Sequence, residues 1–162
     1  PQVIAILITE SSIGLRLGDV LSMKLNQIHT SEKGYRLKIK EKKTGKERDV
    51  PMPSELYAYL TEYAISRGRK RDETIFTLTP RAVTKYIKKV TDYLGLENVS
   101  SHSWRKMYAL KIYKSTGNDI VAVQQSLLHS SLAVTQRYLN RRSEKLESVL
   151  QNNCSIVYFN EE

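Results

Sequence analysis

Residues 127–139 read LLHSSLAVTQRYL and set a histidine, His129, nine positions before a tyrosine, Tyr138. A phenol has an unperturbed pKa near ~10. At neutral pH it attacks poorly unless cations surround its target and another group handles its proton. The chain offers such groups at three other places: Arg16 in IGLRLGD, Lys43 in KKTGKER, and His102 with Arg105 in SHSWRK. Two arginines, a lysine, two histidines and a tyrosine are the parts needed to attack a phosphodiester without a metal ion. Planar arginine forks suit phosphate oxygens, and histidine exchanges protons near neutral pH.

These groups need elements to position them. Residues 3–10 (VIAILITE) are apolar nearly all round and predict a buried helix. Ser11, Ser12 and Gly14 break that pattern, Arg16 follows the turn between Leu15 and Leu17, and a short helix is expected over 19–25. Taken alone, Arg16 reads as a surface residue or as the partner of Asp19 in an ion pair. His29 reads as an exposed turn residue. From Tyr35 the period becomes two, with Tyr35, Leu37 and Ile39 alternating with Arg36, Lys38 and Lys40. A second strand runs through Arg48, Val50 and Met52, and Thr44-Gly45 makes a hairpin turn between the two.

The remainder reads as helices. Ser54 is the expected N-cap of one with the stripe Leu56, Leu60, Tyr63 and Ala64; Thr79-Pro80 opens another with Val83, Tyr86, Ile87, Val90 and Leu94. The opposite face of the latter carries Lys85, Lys88 and Lys89, and Gly95 closes it. Ser101 or Ser103 caps the next helix. There His102 and Arg105 share a face near the N-terminus, where backbone N–H groups favour an anion. Trp104, Tyr108 and Ile112 run down another face toward the core. Gly117-Asn118 separates that helix from one whose Ile120, Val123 and Leu127 face inward and deliver His129 to a turn. Ser130 or Ser131 caps a short helix in which Val134 and Tyr138 share a face. A last helix with Leu146, Val149 and Leu150 follows Arg141, Arg142 and Ser143, and the apolar run Ile156-Val157-Tyr158-Phe159 calls for a docking surface.

Composition sets the frame. The 162 residues suit one domain with a full core, and 40% apolar with 27% charged residues suit a globule. Lys and Arg number 26 against 17 acidic residues, a net charge of +9 with a pI near 9.6. That excess suits a polyanionic partner, nucleic acid or an acidic membrane surface. Cys154 is the only cysteine, which excludes an internal disulfide and a cysteine-based metal site, and fits a reducing compartment. The run VIAILI is too short to span a bilayer and lacks the basic flank of a signal peptide.

In this order and at these spacings, Arg16, Lys43, His102, Arg105, His129 and Tyr138 resemble the catalytic domain of the tyrosine recombinases, the phage-integrase family. The resemblance covers residues 13–138. It implies an α+β, mainly α, catalytic fold with a small antiparallel sheet. It implies a single catalytic domain over 1–162, without the N-terminal domain that clamps the other side of the DNA. The apolar tail, not the resemblance, is the ground for expecting 143–162 to be a C-terminal helix and tail packing on a neighbouring protomer. The implied reaction is site-specific cutting and rejoining of DNA through a 3′-phosphotyrosyl link, with no metal, ATP or other cofactor. Tyr138 is the implied nucleophile, Arg16 and Arg105 hold the phosphate, and Lys43 protonates the departing 5′ oxygen. His102 serves as general base or acid, and His129 donates a hydrogen bond to the phosphate. The K-T-G pattern places the lysine at Lys43, with Lys42 and Lys46 close by. Lys42, Lys46, Lys85, Lys88 and Arg141 are the expected DNA-backbone contacts.

The implied partners are double-stranded DNA, further protomers forming a tetramer on two duplexes, and accessory directionality factors, with no membrane. A cytoplasmic location on bacterial or phage DNA follows. Two residues depart from the family pattern. Leu128 stands where glycine commonly precedes the histidine, and Asp19 where glutamate is commoner; neither removes a reacting group. The alternatives are a non-catalytic DNA-binding protein that kept the fold, and relaxation of a single duplex in the manner of a type IB topoisomerase.

Overall fold

The computed structural model describes residues 2–127, 129 and 131–139. Helix α1 (Gln2–Ile13) leads into a four-residue helix α2 (Leu17–Val20) and a 3-10 turn (Leu25–Gln27). A meander of β1 (Ile28–Ser31), β2 (Gly34–Lys40) and β3 (Glu47–Pro51) follows. Helices α3 (Ser54–Ser66), α4 (Pro80–Tyr93), α5 (Ser101–Ser115), α6 (Ile120–Leu127) and α7 (Leu132–Leu139) complete the described chain. This is the expected mainly helical α+β architecture with one small antiparallel sheet, in the order β1-β2-β3.

The alternating pattern places the sheet. Leu37 pairs with Val50 and Ile39 with Arg48, so the apolar positions of β2 and β3 share the buried face. Arg36 on the other face donates from Nε to Asp49 Oδ2 at 2.9 Å. β1 was not visible in the sequence, because its four residues IHTS carry one buried side chain. His29 consequently lies in a strand, 3.8 Å from Asp49, and not alone in a turn.

Several helix boundaries differ from the sequence expectation for local reasons. α1 is not buried all round: Ile4 is 60% exposed, while Glu10 is fully buried. α2 is shorter than the helix expected over 19–25. Pro53 occupies the N-cap of α3, and Ser54 begins the helix. Ser100 caps α5 in a capping box closed by Ser103, and Asp119 Oδ1 caps α6 by accepting from Val121 N at 2.7 Å. Thr79 caps α4 as expected, with Pro80 in the first turn. Tyr86, Val90 and Leu94 of its apolar stripe remain exposed.

Two apolar clusters result. The larger joins α1, the sheet, α3 and α4, and includes Ile6, Ile13, Leu37, Leu60, Phe76 and Val83. The smaller holds α5, α6 and α7 together through Ala109, Val123, Leu127 and Leu139. α1 packs along α5 and links the two clusters, and the chemistry-bearing side chains lie at that seam.

Candidate DNA-processing active site

Gly14 is the pivot of the site. Its φ of 64° ends α1, and the Tyr108 ring occupies the space a Cβ would take. The chain then extends through Arg16 at the N-cap position of α2, with φ −75° and ψ 149°. The Arg16 side chain is 23% exposed and its Nη1 lies 2.8 Å from Glu41 Oε2. The N–H does not point along that line, so the contact is an ion pair and not an aligned hydrogen bond. Asp19, the partner expected for Arg16, instead accepts the backbone N–H of Lys42 at 2.9 Å and ties α2 to the β2–β3 hairpin.

Arg105 is 2% exposed despite its place in the first turn and a half of α5. Its Nη1 donates to the Gly14 carbonyl, and its Nη2 to the Leu127 carbonyl at 3.0 Å. Arg48, a strand residue by its sequence pattern, joins Arg105. It points inward at 6% exposure, donating from Nη1 to Glu41 Oε1 at 3.3 Å and from Nη2 to the Ser126 carbonyl at 2.6 Å. Two arginines from distant elements thus meet the last carbonyls of α6, where the helix dipole favours cations.

His129 sits just past that helix end, its N–H donating to the Gln124 carbonyl at 3.1 Å. Its Nδ1 lies 3.1 Å from Thr135 Oγ1 on α7. Tyr138, one turn further along α7, stands edge-on to the imidazole with ring centroids 5.1 Å apart and planes at 78°. Ser131 Oγ accepts from Val134 N at 3.3 Å, which settles the α7 cap among the described residues. The Tyr138 hydroxyl is buried and has no well-formed hydrogen bond among the described residues.

Electrostatics join these groups into one unit. Burial lowers the Arg105 pKa to about 10, helped by repulsion from Arg16 and Arg48. Burial also lowers His129 to about 4, with the same arginines opposing its protonation, so the imidazole is neutral at pH 7. Burial raises the Tyr138 phenol, while Arg105 pulls it back down. Burial pushes the Glu41 carboxyl up, but the Thr44 hydroxyl and the Arg16 and Arg48 guanidinia outweigh it and hold the group below its usual range. Glu10, fully buried with neither oxygen hydrogen-bonded to a described residue, is raised to about 8 by burial, against the pull of Arg105. At neutral pH the cluster therefore presents three guanidinium groups against one carboxylate, a ready anion site.

The structure brings Arg16, Arg105, His129 and Tyr138 together, and the other described candidates lie on exposed surface outside that cluster. His102 is exposed on the first turn of α5 and bonds to no described residue. Lys43 is exposed on the hairpin turn beside Lys42 and Lys46. Lys85 and Lys88 lie on the exposed face of α4, with Lys88 Nζ 3.0 Å from Asp92 Oδ2. Leu128, Ser130, Arg141 and residues 143–162 lie outside the described residues. Glu10, Glu41, Arg48 and Thr135 escaped the sequence reading. A signal existed for Arg48, the single cation in step with Val50 and Met52 on the inward face.

Among the described residues no group of three or more His, Cys, Asp or Glu side chains could hold a metal ion. No described helix is long and apolar enough to cross a membrane.

A cluster of guanidinia beside a tyrosine, on a helical domain with a small sheet, defines a class. The phage integrase family matches residues 5–145, and the chain belongs to that family. It is 28% identical over 149 residues to the tyrosine recombinase XerA of Pyrococcus furiosus, an alignment covering 85% of this chain and 50% of that protein. Its fold matches the XerH site-specific recombinase bound to a palindromic difH substrate in a post-cleavage complex, with a TM-score of 0.73 and 23% identity, over 91% of this chain and 44% of that one. It also matches the catalytic domain of bacteriophage HP1 integrase, with a TM-score of 0.61 and 20% identity, over 92% of this chain and 80% of that one. The chain spans about half the length of the first curated relatives it matches.

Proposed function

We propose that the chain is the catalytic part of a site-specific DNA recombinase that cuts and rejoins strands through a 3′-phosphotyrosyl intermediate. The observation that carries this reading is the seam itself, where Arg16, Arg105, His129 and Tyr138 converge from four elements. Arg16 and Arg105 bind the non-bridging oxygens of the scissile phosphate and stabilise the charge that grows there. Tyr138 attacks phosphorus as the bond to the 5′ oxygen breaks, and Lys43 delivers a proton to that oxygen. His102, exposed on α5, takes the phenol proton once DNA closes over it.

His129 acts as a neutral imidazole. The Thr135 hydroxyl has one proton and two acceptors, Nδ1 at 3.1 Å and the Ser131 carbonyl at 3.3 Å. When that proton goes to Nδ1, the ring proton sits on Nε2 and can be donated to the phosphate. The raised pKa of Tyr138 keeps it a neutral phenol until a phosphate and a base are in place.

Lys42, Lys46, Lys85, Lys88 and Arg141 follow the DNA backbone. Double-stranded DNA is the substrate, four protomers act on two duplexes, and directionality factors assist them. Residues 143–162 pack on a neighbouring protomer, and the protein works in the cytoplasm on bacterial or phage DNA.

The test is a covalent protein–DNA band on a denaturing gel, using the full-length protein and a nicked duplex carrying its own junction sequence. Tyr138→Phe should abolish the band. A band that survives in Tyr138→Phe assigns the attack to another residue. No band despite specific binding favours a DNA-binding module, and relaxation of a supercoiled plasmid favours a topoisomerase.

A further inference from the structure

The proposed proton donor, Lys43, lies on an exposed turn and makes no hydrogen bond or ion pair with a described residue. Proton transfer to a leaving oxygen needs the donor within about 3 Å of it, so a loose turn would waste the lysine. The turn is not loose. Glu41 N donates to the Lys46 carbonyl, and Gly45 N to the Glu41 carbonyl, each at 2.9 Å. The Thr44 hydroxyl, on the residue after Lys43, donates to Glu41 Oε2 at 2.6 Å. That same oxygen lies 2.8 Å from Arg16 Nη1, while Oε1 accepts from Arg48 at 3.3 Å. Arg48 in turn reaches the Ser126 carbonyl, one residue before the carbonyl that Arg105 holds.

One carboxylate thus touches the turn carrying the acid, the partly exposed phosphate-binding arginine, and a buried cation fixed to the end of α6. Glu41 is 1% exposed and Arg48 6% exposed. Pairs buried to that degree add little net stability over apolar side chains of the same volume, because desolvation offsets their attraction. What they provide is geometry. We propose that Glu41, fixed by Arg48, is a positioning residue that sets the Lys43 turn, through Thr44, against Arg16. The inference rests on the recombinase reading and deepens it by naming what holds the general acid.

Thr44→Val offers the cleanest perturbation, because it removes one hydroxyl from an exposed turn and leaves the core intact. Thr44→Ser keeps the hydroxyl. The full-length protein is mixed with saturating nicked duplex, and the rate of covalent complex formation is followed. A second substrate replaces the scissile 5′ oxygen with sulfur, whose thiolate departs without a proton. With the ordinary phosphodiester, Thr44→Val should be about tenfold slower than wild type, less than the ~10²–10⁴-fold a whole general acid contributes because the lysine is displaced and not removed, and Thr44→Ser should restore the rate. With the sulfur substrate, Thr44→Val should match wild type, because no proton donor is required.

A full rate for Thr44→Val on the ordinary substrate would overturn the inference. So would an equal loss on both substrates, since the turn would then act by some route other than Lys43. Failure of the wild-type protein itself to form a Tyr138-dependent band would count against the recombinase reading, so the two failures are separable. Glu41→Gln is the stronger second variant. It should slow both substrates, because it also releases Arg16, with the greater loss on the oxygen substrate.

Discussion

Arg105 holds the carbonyl of Gly14, 91 residues away in the chain, and with its other nitrogen the carbonyl of Leu127. A residue read as a phosphate ligand is therefore also a clasp between the end of α1 and the end of α6. The two duties predict different things for the two arginines. Arg105→Ala leaves two buried carbonyls unpaired and should cost about 2–5 kcal/mol in urea unfolding. Arg16→Ala, at a partly exposed side chain, should cost clearly less stability while abolishing the covalent band as completely.

Gly14 leaves no room for substitution. Gly14→Ala must put a methyl into the Tyr108 ring at a φ of 64°. The positive φ alone costs roughly 1 kcal/mol, and overpacking against the ring adds about 1–3 more. A fall in thermal midpoint of several degrees, clearly larger than in a Gly45→Ala control, where φ is also positive at 68° but the space for a methyl is open, would bear this out.

Glu10 makes the fold weaker in alkali. Its pKa is about 8 in the folded protein and near 4.5 unfolded, so between those values the folded state holds the extra proton. The stability this group contributes is complete below pH 4.5 and is lost as pH rises through 8. Glu10→Gln should therefore gain on wild type by an amount on the order of 3 kcal/mol between pH 5 and pH 9. Parallel pH–stability curves for the two proteins would exclude a buried, unpaired carboxyl.

His129 works in the opposite sense. Its folded pKa of about 4 lies below the usual 6.5, so the unfolded state protonates first and stability falls as pH drops from 6.5 toward 4. The difference between wild type and His129→Gln should shrink over that window. The imidazole proton shifts in an NMR titration should show no midpoint above pH 5.

Much of this was readable because chemistry and periodicity coincide in the chain. The alternation around Leu37 and Ile39, the Thr79-Pro80 opening of α4 and the glycine punctuation gave the hairpin and most of the helices. Order and joint spacing, not residue type alone, marked Arg16, Arg105, His129 and Tyr138. Partnerships were hidden. Arg16 pairs with Glu41 and not with Asp19, because the hairpin folds back over α2, a tertiary event that no local window contains. Glu10 looked like the polar end of an apolar helix, and only the packing of α1 along α5 buries it. β1 was missed because four residues with one inward side chain carry too little alternation to detect.

The clasp between Gly14 and Leu127 also sets when the site can exist. As the chain leaves the ribosome, Arg16, the hairpin and Arg105 emerge before α6 and Tyr138, and Arg105 has only one of its two anchors until residue 127 arrives. The contact spans most of the described domain, so it closes late in any folding sequence governed by loop entropy. A nascent or half-folded chain carries arginines and a tyrosine without the geometry to use them. On the recombinase reading, strand cleavage becomes possible only when the two ends of the domain have met.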